Sequence, residues 1–200
     1  MTQDLALLLD LEQKWPEQSR ATEHALKRRI ERFAEGYFIA EDNTGIIGSI
    51  IAHPYYYDPC DLSNFNSWAA LIKTCYDSEQ SFSSANALYI VSGTSNKPHN
   101  EALFFNTGIS LIIELAKKMG MTYVIAGALL PGYACFLRKH KKMRAEDYVF
   151  EKNKQRFVDP LIEKYRRIGF SVPDKHHVIA NYFPDENSLN YSALVVKKIL

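Results

Sequence analysis

The sequence predicts an α/β chain of the α+β kind: a mixed, mostly antiparallel sheet with a central pair of parallel strands and helices on both faces. Three observations carry that expectation. ALYIVSG (87–93) and MTYVIAG (121–127) are short apolar runs with β-branched and aromatic residues, bounded by glycine and polar clusters, as buried strands are. Between them, apolar residues recur at helical spacing from Glu101 to Lys118, and Gly120 follows as a stop after Lys117 and Lys118. A strand, crossover helix and strand of this length suggest parallel neighbours with a right-handed connection. Hairpin-like segments precede and follow this core, which makes the remaining pairings antiparallel.

From the start, residues 4–14 (DLALLLDLEQK) have helical composition, with Leu5, Leu8, Leu9 and Leu11 able to form one apolar face, and Pro16 marks a break. Ser19 is a candidate N-cap for ATEHALKRRIERFAEG, which ends at Gly36; Ala25, Leu26, Ile30 and Phe33 face one way. Arg28, Arg29 and Arg32 face another, as a solvated face or as ligand contacts. YFIAEDNTGIIGSIIAH then gives two strands around a turn at Asp42–Gly45. Pro54 to Ala85 is irregular, with one helical candidate from Trp68 to Cys75. A connection this long is often functional. Tyr55, Tyr56, Tyr57, Phe65 and Trp68 either wall a substrate pocket or cover a sheet face.

Beyond the core, PGY (131–133) breaks the chain, and helical signals occur near a basic run of Arg138, Lys139, His140, Lys141, Lys142 and Arg144. That run is either a solvated surface or a contact for phosphate or an acidic partner. Asp159 and Pro160 open LIEKYRRIG, stopped by Gly169. FSV, VIANYF and YSALVVKKI read as strands, separated by turns at Pro173 and at Pro184–Ser188.

With 200 residues, 46% of them hydrophobic, one well-packed domain over 1–200 is expected. A net charge of +1 gives no global field favouring nucleic acid or anionic membrane, and there is no nucleic-acid reader motif. No apolar run approaches the roughly 20 residues that span a bilayer, and the opening MTQDLALLLDLEQKW is acidic, unlike a basic leader. These features fit a cytoplasmic, soluble protein. Cys60, Cys75 and Cys135 are odd in number and unrelated in spacing, which argues for free thiols and against a disulfide framework or a Cys-rich zinc site.

Two helices, a hairpin, the strand–helix–strand core, a short helix ending in Gly-Phe and a closing hairpin together resemble the GNAT superfamily of N-acetyltransferases. The pieces AGALLPGY, AEDYV, DPLIEKYRRIGF and NYFPDENSLNYSALV resemble most closely the GNAT-type domain found attached to carbon–nitrogen hydrolases. The resemblance implies acetyl-CoA, or CoA, as cosubstrate. It implies a sheet that splays after the core strand, where pantetheine hydrogen-bonds to the backbone of Ile90, Val91, Ser92 and Gly93. It also implies a pyrophosphate cradle at the start of the central helix, with the pattern Arg/Gln-x-x-Gly-x-Gly/Ala, because glycine lets amides approach phosphate closely. Counting back from Gly120 places Asn100, Glu101, Ala102, Leu103, Phe104 and Phe105 at those positions. A later register, Phe105 to Ser110, recovers Gly108 and the small Ser110. Asn100, Gly108 and Ser110 are therefore the cradle candidates, with Lys97, His99 or the basic run supplying further charge.

In many GNAT enzymes the tyrosine of a Tyr-x-x-x-Gly-Phe helix end protonates the departing CoA thiolate, and YRRIGF (165–170) resembles that pattern, making Tyr165 the catalytic candidate. Alternatively, the tyrosine packs its ring on the sheet. The amine must also lose a proton, for which Glu101, His99, Asp185 and His53 are the available groups. Adjacent His176 and His177 point oppositely on an extended segment, which is poor metal geometry, so no metal is expected. Cys135 has no assignable histidine and acid. The implied function is acetyl transfer directly to the amine of a small molecule or peptide, chosen by the loops Tyr55–Ser84 and Asp174–Asn190. The alternative is a GNAT-fold ligand- or protein-binding module without catalytic CoA use, to which Leu103, Phe104 and Phe105 in place of glycines point. An exposed edge of the closing hairpin would suit a homodimer.

Overall fold

The computed structural model describes residues 2–43, 45–77, 80–96, 101–140 and 142–199. Helix α1 (Thr2–Glu12) sends Leu5, Leu8 and Leu11 into a buried cluster with Ala21, Leu26 and Ile46. Helix α2 (Glu23–Arg32) starts at Thr22, whose side chain accepts from the Ala25 amide at 3.2 Å. The cap expected at Ser19 is thus displaced, since Ser19 closes a 3-10 turn, Glu17–Ser19, that follows Pro16. Strands β1 (Tyr37–Asp42) and β2 (Gly45–Tyr55) form the antiparallel hairpin. Helix α3 (Trp68–Asp77) is followed by the short α4 (Gln80–Ser83), which the sequence reading lacked.

The core unit follows as expected: β3 (Ala87–Ser95), α5 (Glu101–Lys118) and β4 (Tyr123–Leu129), with Gly120 at φ +68° ending the helix. Then come α6 (Tyr133–Lys139), α7 (Ala145–Tyr148), a small hairpin of β5 (Lys152–Asn153) and β6 (Arg156–Phe157), α8 (Pro160–Arg167), β7 (Val178–Ile179) and β8 (Ser192–Lys198). The main sheet has the order β1-β2-β3-β4-β8-β7 and is mostly antiparallel, with β3 and β4 as its parallel pair and helices around it.

The C-terminal strands are shorter than the sequence suggests. FSV contributes a single bridge, Ser171 to Val196, and VIANYF pairs only through Val178 and Ile179. The reason is local: Asn181 adopts φ +55°, the chain turns, and the Tyr182 amide bonds to the Asn190 carbonyl at 3.1 Å. Asparagine is one of the few residues that enters this region readily.

The chain forms two compact units, one of Met1–Tyr56, Cys75–Val124 and Ile199–Leu200, the other of Tyr57–Thr74 and Ile125–Lys198. In the first, α5 lies so close to β2 that a Cβ on Gly108 would stand 2.7 Å from Ile50 Cγ2. In the second, Asp159 caps α8 and reaches back to the residues before α6.

Candidate functional site

In the first unit the stretch Ile90–Gly93 is shaped by its register with β2. Ile50 lies opposite Gly93, Ile51 opposite Ser92 and Ala52 opposite Ile90, so Val91 is the extra residue of a β-bulge. Bulges twist a strand locally and re-aim its groups, and they concentrate beside active sites. Ile90 and Val91 are buried, Ser92 is half-buried and Gly93 is exposed. Just beyond, the Trp15 indole donates to the Thr94 hydroxyl at 2.9 Å, tying the segment after α1 to this strand.

Helix α5 leaves the amides of Glu101, Ala102 and Leu103 without acceptors in its own first turn, which favours an anion there. Asn100, Lys97 and His99 lie outside the described residues, as does the Glu101 side chain. Gly108 and Ser110 sit inside the helix rather than at its start. Gly108 is buried against Ile50, and the exposed Ser110 hydroxyl donates to the Asn106 carbonyl one turn back at 2.8 Å. Phe104 and Leu111 line, with Phe38, Ile39 and Ile50, an apolar groove of about 210 Å³.

His53 is fully buried in an aromatic cage, its ring 4.4 Å from Tyr76, 5.1 Å from Phe82 and 5.9 Å from Phe33. Its Nδ1–H donates to the Pro54 carbonyl at 2.9 Å. Burial, with Arg32 and Arg29 nearby, lowers its pKa to about 4, so the ring is neutral and shut away from an incoming amine. Of the arginines expected to be solvated or ligand-binding, Arg28 is exposed, while two pack on rings: Arg29 over Tyr76 at 5.1 Å and Arg32 over Phe82 at 5.2 Å.

In the second unit Tyr165 lies on the inward face of α8, its ring edge-on to Phe170 at 5.3 Å. Burial pushes its phenol well above the ordinary tyrosine range, so it stays protonated. Gly169 at φ +88° folds the chain back so that the Phe170 amide meets the Tyr165 carbonyl at 3.0 Å, which fixes both rings. The helix is anchored at its other end by the buried Asp159. Its Oδ1 accepts from the amides of Leu161 (2.9 Å) and Ile162 (3.2 Å), and its Oδ2 from the Gly132 amide and the Tyr148 hydroxyl, both at 3.1 Å.

Sequence reasoning missed a hydrogen-bonded chain that runs from the buried Tyr57 and His177 out to the exposed Asp174. The Tyr57 hydroxyl donates to His177 Nε2 at 2.9 Å, and His177 Nδ1–H donates to Asp174 Oδ1 at 2.8 Å. The aspartate fixes the imidazole tautomer. No sequence signal joins residues 120 positions apart. Of the aromatics in the long connection, Tyr55, Tyr57 and Phe65 are buried, Tyr56 is exposed, and Trp68 meets Phe183 edge-to-face at 5.4 Å. Asp185 staples its own loop by accepting from the Ser188 amide at 2.7 Å. Cys60, Cys75 and Cys135 are free thiols, and burial drives that of Cys75 up to about 12.

No protein-family model matches the chain. It is 26% identical over 198 residues to an uncharacterized N-acetyltransferase, YkwB of Bacillus subtilis (strain 168), covering 96% of this chain and 83% of the relative. It is 23% identical over 174 residues to the probable hydrolase YhcX of the same organism, covering 86% of this chain but only 32% of that longer protein. Among solved structures, the loading GNATL domain of CurA from Lyngbya majuscula superposes with a TM-score of 0.78 at 21% identity, covering 98% of this chain and 94% of that one. The GphF GNAT-like decarboxylase in complex with isobutyryl-CoA gives a TM-score of 0.74 at 18% identity, covering 100% and 97%. The mixed sheet with its parallel pair is therefore a GNAT-like fold.

Proposed function

We propose that this protein is an acyl-CoA-dependent N-acetyltransferase that passes an acetyl group directly to the amine of a small molecule or peptide. The observation that carries the reading is the bulge at Val91, two residues before the exposed Gly93, in a strand that leads toward the start of α5. In this reading pantetheine lies along the backbone of Ile90, Val91, Ser92 and Gly93. The pyrophosphate meets Asn100 and the amides of Glu101, Ala102 and Leu103. Gly108 and Ser110 contribute indirectly, Gly108 by letting α5 sit close on β2.

The chemistry asked of the chain is limited. The amine nitrogen attacks the thioester carbonyl, a C–N bond forms and the C–S bond breaks. The departing sulfur takes a proton from the Tyr165 hydroxyl, a group that burial keeps protonated, and the proton that the amine nitrogen sheds as the amide forms returns through water to the Tyr165 phenolate. The similarity to an N-acetyltransferase over 96% of the chain supports this reading. The partial match to the probable hydrolase YhcX supports a kinship with GNAT-type domains attached to hydrolases.

Calorimetry with acetyl-CoA, followed by turnover against an amine panel, tests the proposal. Binding is expected, and Tyr165→Phe is expected to lower kcat by on the order of a hundredfold with little change in cofactor affinity. No binding at millimolar cofactor sinks the enzyme reading and leaves a GNAT-fold binding module. A second reading borrows the chemistry of one similar structure, the GNAT-like decarboxylase. Release of carbon dioxide from a carboxyacyl-CoA without any amine would favour it.

A further inference from the structure

A concave pocket of about 420 Å³ in the second unit lies beside α6 and α7, within the range of small-molecule sites. Its apolar side is made by Tyr133 and Tyr191, whose rings meet edge-to-face at 5.8 Å. Its rim is made by Lys142, Met143, Arg144 and Glu146. Two features show that rim and wall are held together. The Tyr133 hydroxyl donates to the Met143 carbonyl at 2.7 Å. Lys142 keeps φ +38°, a backbone region that costs a side-chain-bearing residue energy and persists only where its surroundings impose it.

The charges at the rim are only partly spent. The Arg144 guanidinium stands 3.6 Å from both the Glu146 and the Asp147 carboxylates, beyond good hydrogen-bond length, and its side chain is 73% exposed. Asp147 is taken more closely by Lys175. Arg138 and Lys139, exposed in the last turn of α6, precede the rim in the chain and add positive charge beyond the pocket. The half-buried Tyr191 ring, backed by the buried Tyr133, offers stacking or edge contacts to a flat heterocycle. Two cations on the rim, with more beyond it, match a ligand carrying more than one anionic group. Glu146 adds an acceptor for an exocyclic amine or a ribose hydroxyl.

We propose that this pocket binds a phosphorylated nucleoside, with the base against Tyr191 and phosphate at Lys142 and Arg144. The ligand is a free nucleotide rather than the nucleotide end of CoA, whose pyrophosphate the acyltransferase reading places at the start of α5. The probe is adenosine 3′,5′-bisphosphate, titrated by calorimetry into the whole protein. Saturable, salt-sensitive binding is expected, weakened on the order of tenfold or more by Lys142→Glu with Arg144→Glu. Tyr191→Ala weakens it while Tyr191→Phe retains it.

Thermal unfolding of each variant separates loss of binding from loss of fold, and Arg144→Gln alone provides a milder second variant. Absence of saturable binding by the native chain overturns the proposal, as does equal binding by the folded double variant. CoA titrated in parallel keeps the cofactor apart from this ligand. An equal loss of CoA affinity in the double variant also overturns the proposal. Unchanged CoA affinity beside lost bisphosphate binding assigns it to a separate nucleotide. Acetyl-CoA binding without bisphosphate binding would sink this inference and leave the acyltransferase reading intact.

Discussion

Replacing Asp159 by asparagine removes one negative charge and one acceptor while keeping the volume. In the native chain its two oxygens satisfy four donors: the Leu161 and Ile162 amides on one side, the Gly132 amide and Tyr148 hydroxyl on the other. The residue is fully buried, so no water can replace a lost partner. An asparagine that keeps its oxygen on the helix turns its NH₂ toward the Gly132 amide, donor against donor. The Tyr148 hydroxyl can rotate to accept, but the Gly132 N–H cannot. Stranding that buried donor and losing the charge assistance to the others costs about 2–3 kcal/mol. Asp159→Ala also forfeits the helix cap, for a total of about 3–4 kcal/mol. Tyr148→Phe removes a single partner and costs about 1 kcal/mol. Urea unfolding at pH 7 of the single variants and of Asp159→Asn with Tyr148→Phe reads these values and their coupling. A loss under about 0.5 kcal/mol for Asp159→Asn, or strict additivity in the double variant, would refute the assignment of Asp159 as the anchor of α8.

Gly108→Ala places a methyl 2.7 Å from Ile50 Cγ2; an overpacking cost of about 1–3 kcal/mol is only partly offset by about 1 kcal/mol of helix propensity. A lowered Tm, relieved when Ile50→Ala is added, is the expected result, and a raised Tm in the single variant would contradict it. Acid should destabilise the fold in two windows. His53 is held at about 4 against an ordinary 6.5, so its neutral form contributes stability above pH 6.5 that is lost as pH falls toward 4, up to about 3 kcal/mol; His53→Gln should flatten the denaturation midpoint between pH 7 and 5. Glu163 is held at about 2 by Arg166, Arg167 and the Phe157 amide, so its contribution is present above pH 4.5 and lost toward pH 2. With both guanidiniums about half exposed that contribution is about 1 kcal/mol, and an unchanged acid slope in Glu163→Gln would refute it.

What the sequence could tell depended on whether a local signal had a distant competitor. Helix α5 was legible because its periodicity and its glycine stop act within the segment. The start of α2 was not. Ser19 and Thr22 are both good caps, and the choice between them is made by Glu12, whose buried carboxylate accepts the Ala21 amide at 2.6 Å and holds residues 20 and 21 out of the helix. VIANYF alternates like a strand, yet Asn181 turns the chain, and Tyr182 and Phe183 are buried beyond the turn. Gly108 illustrates the same limit at the candidate site. A glycine near a helix start reads equally well as a phosphate contact or as a close approach of two elements, and only the position of Ile50 separates them. The Tyr57–His177–Asp174 chain offered less still, since each residue alone is ordinary and the arrangement exists only in three dimensions.

Net charge shows why whole-chain composition is a blunt guide to partners. A value of +1 excludes a strong uniform field, which is a statement about long-range attraction. In the second unit Lys and Arg outnumber Asp and Glu, whereas in the first the acidic residues prevail, so the two surpluses cancel only in the sum. A ligand with closely spaced phosphates feels charge over about a Debye length, roughly 8–10 Å at physiological salt. At that range Lys142 and Arg144 matter, with the Glu146 and Asp147 carboxylates beside them offsetting part of their charge, and the more distant carboxylates do not. Near-neutrality therefore argues against a polyanion that must cover the whole surface and leaves a compact anion at the Lys142–Arg144 rim physically favoured.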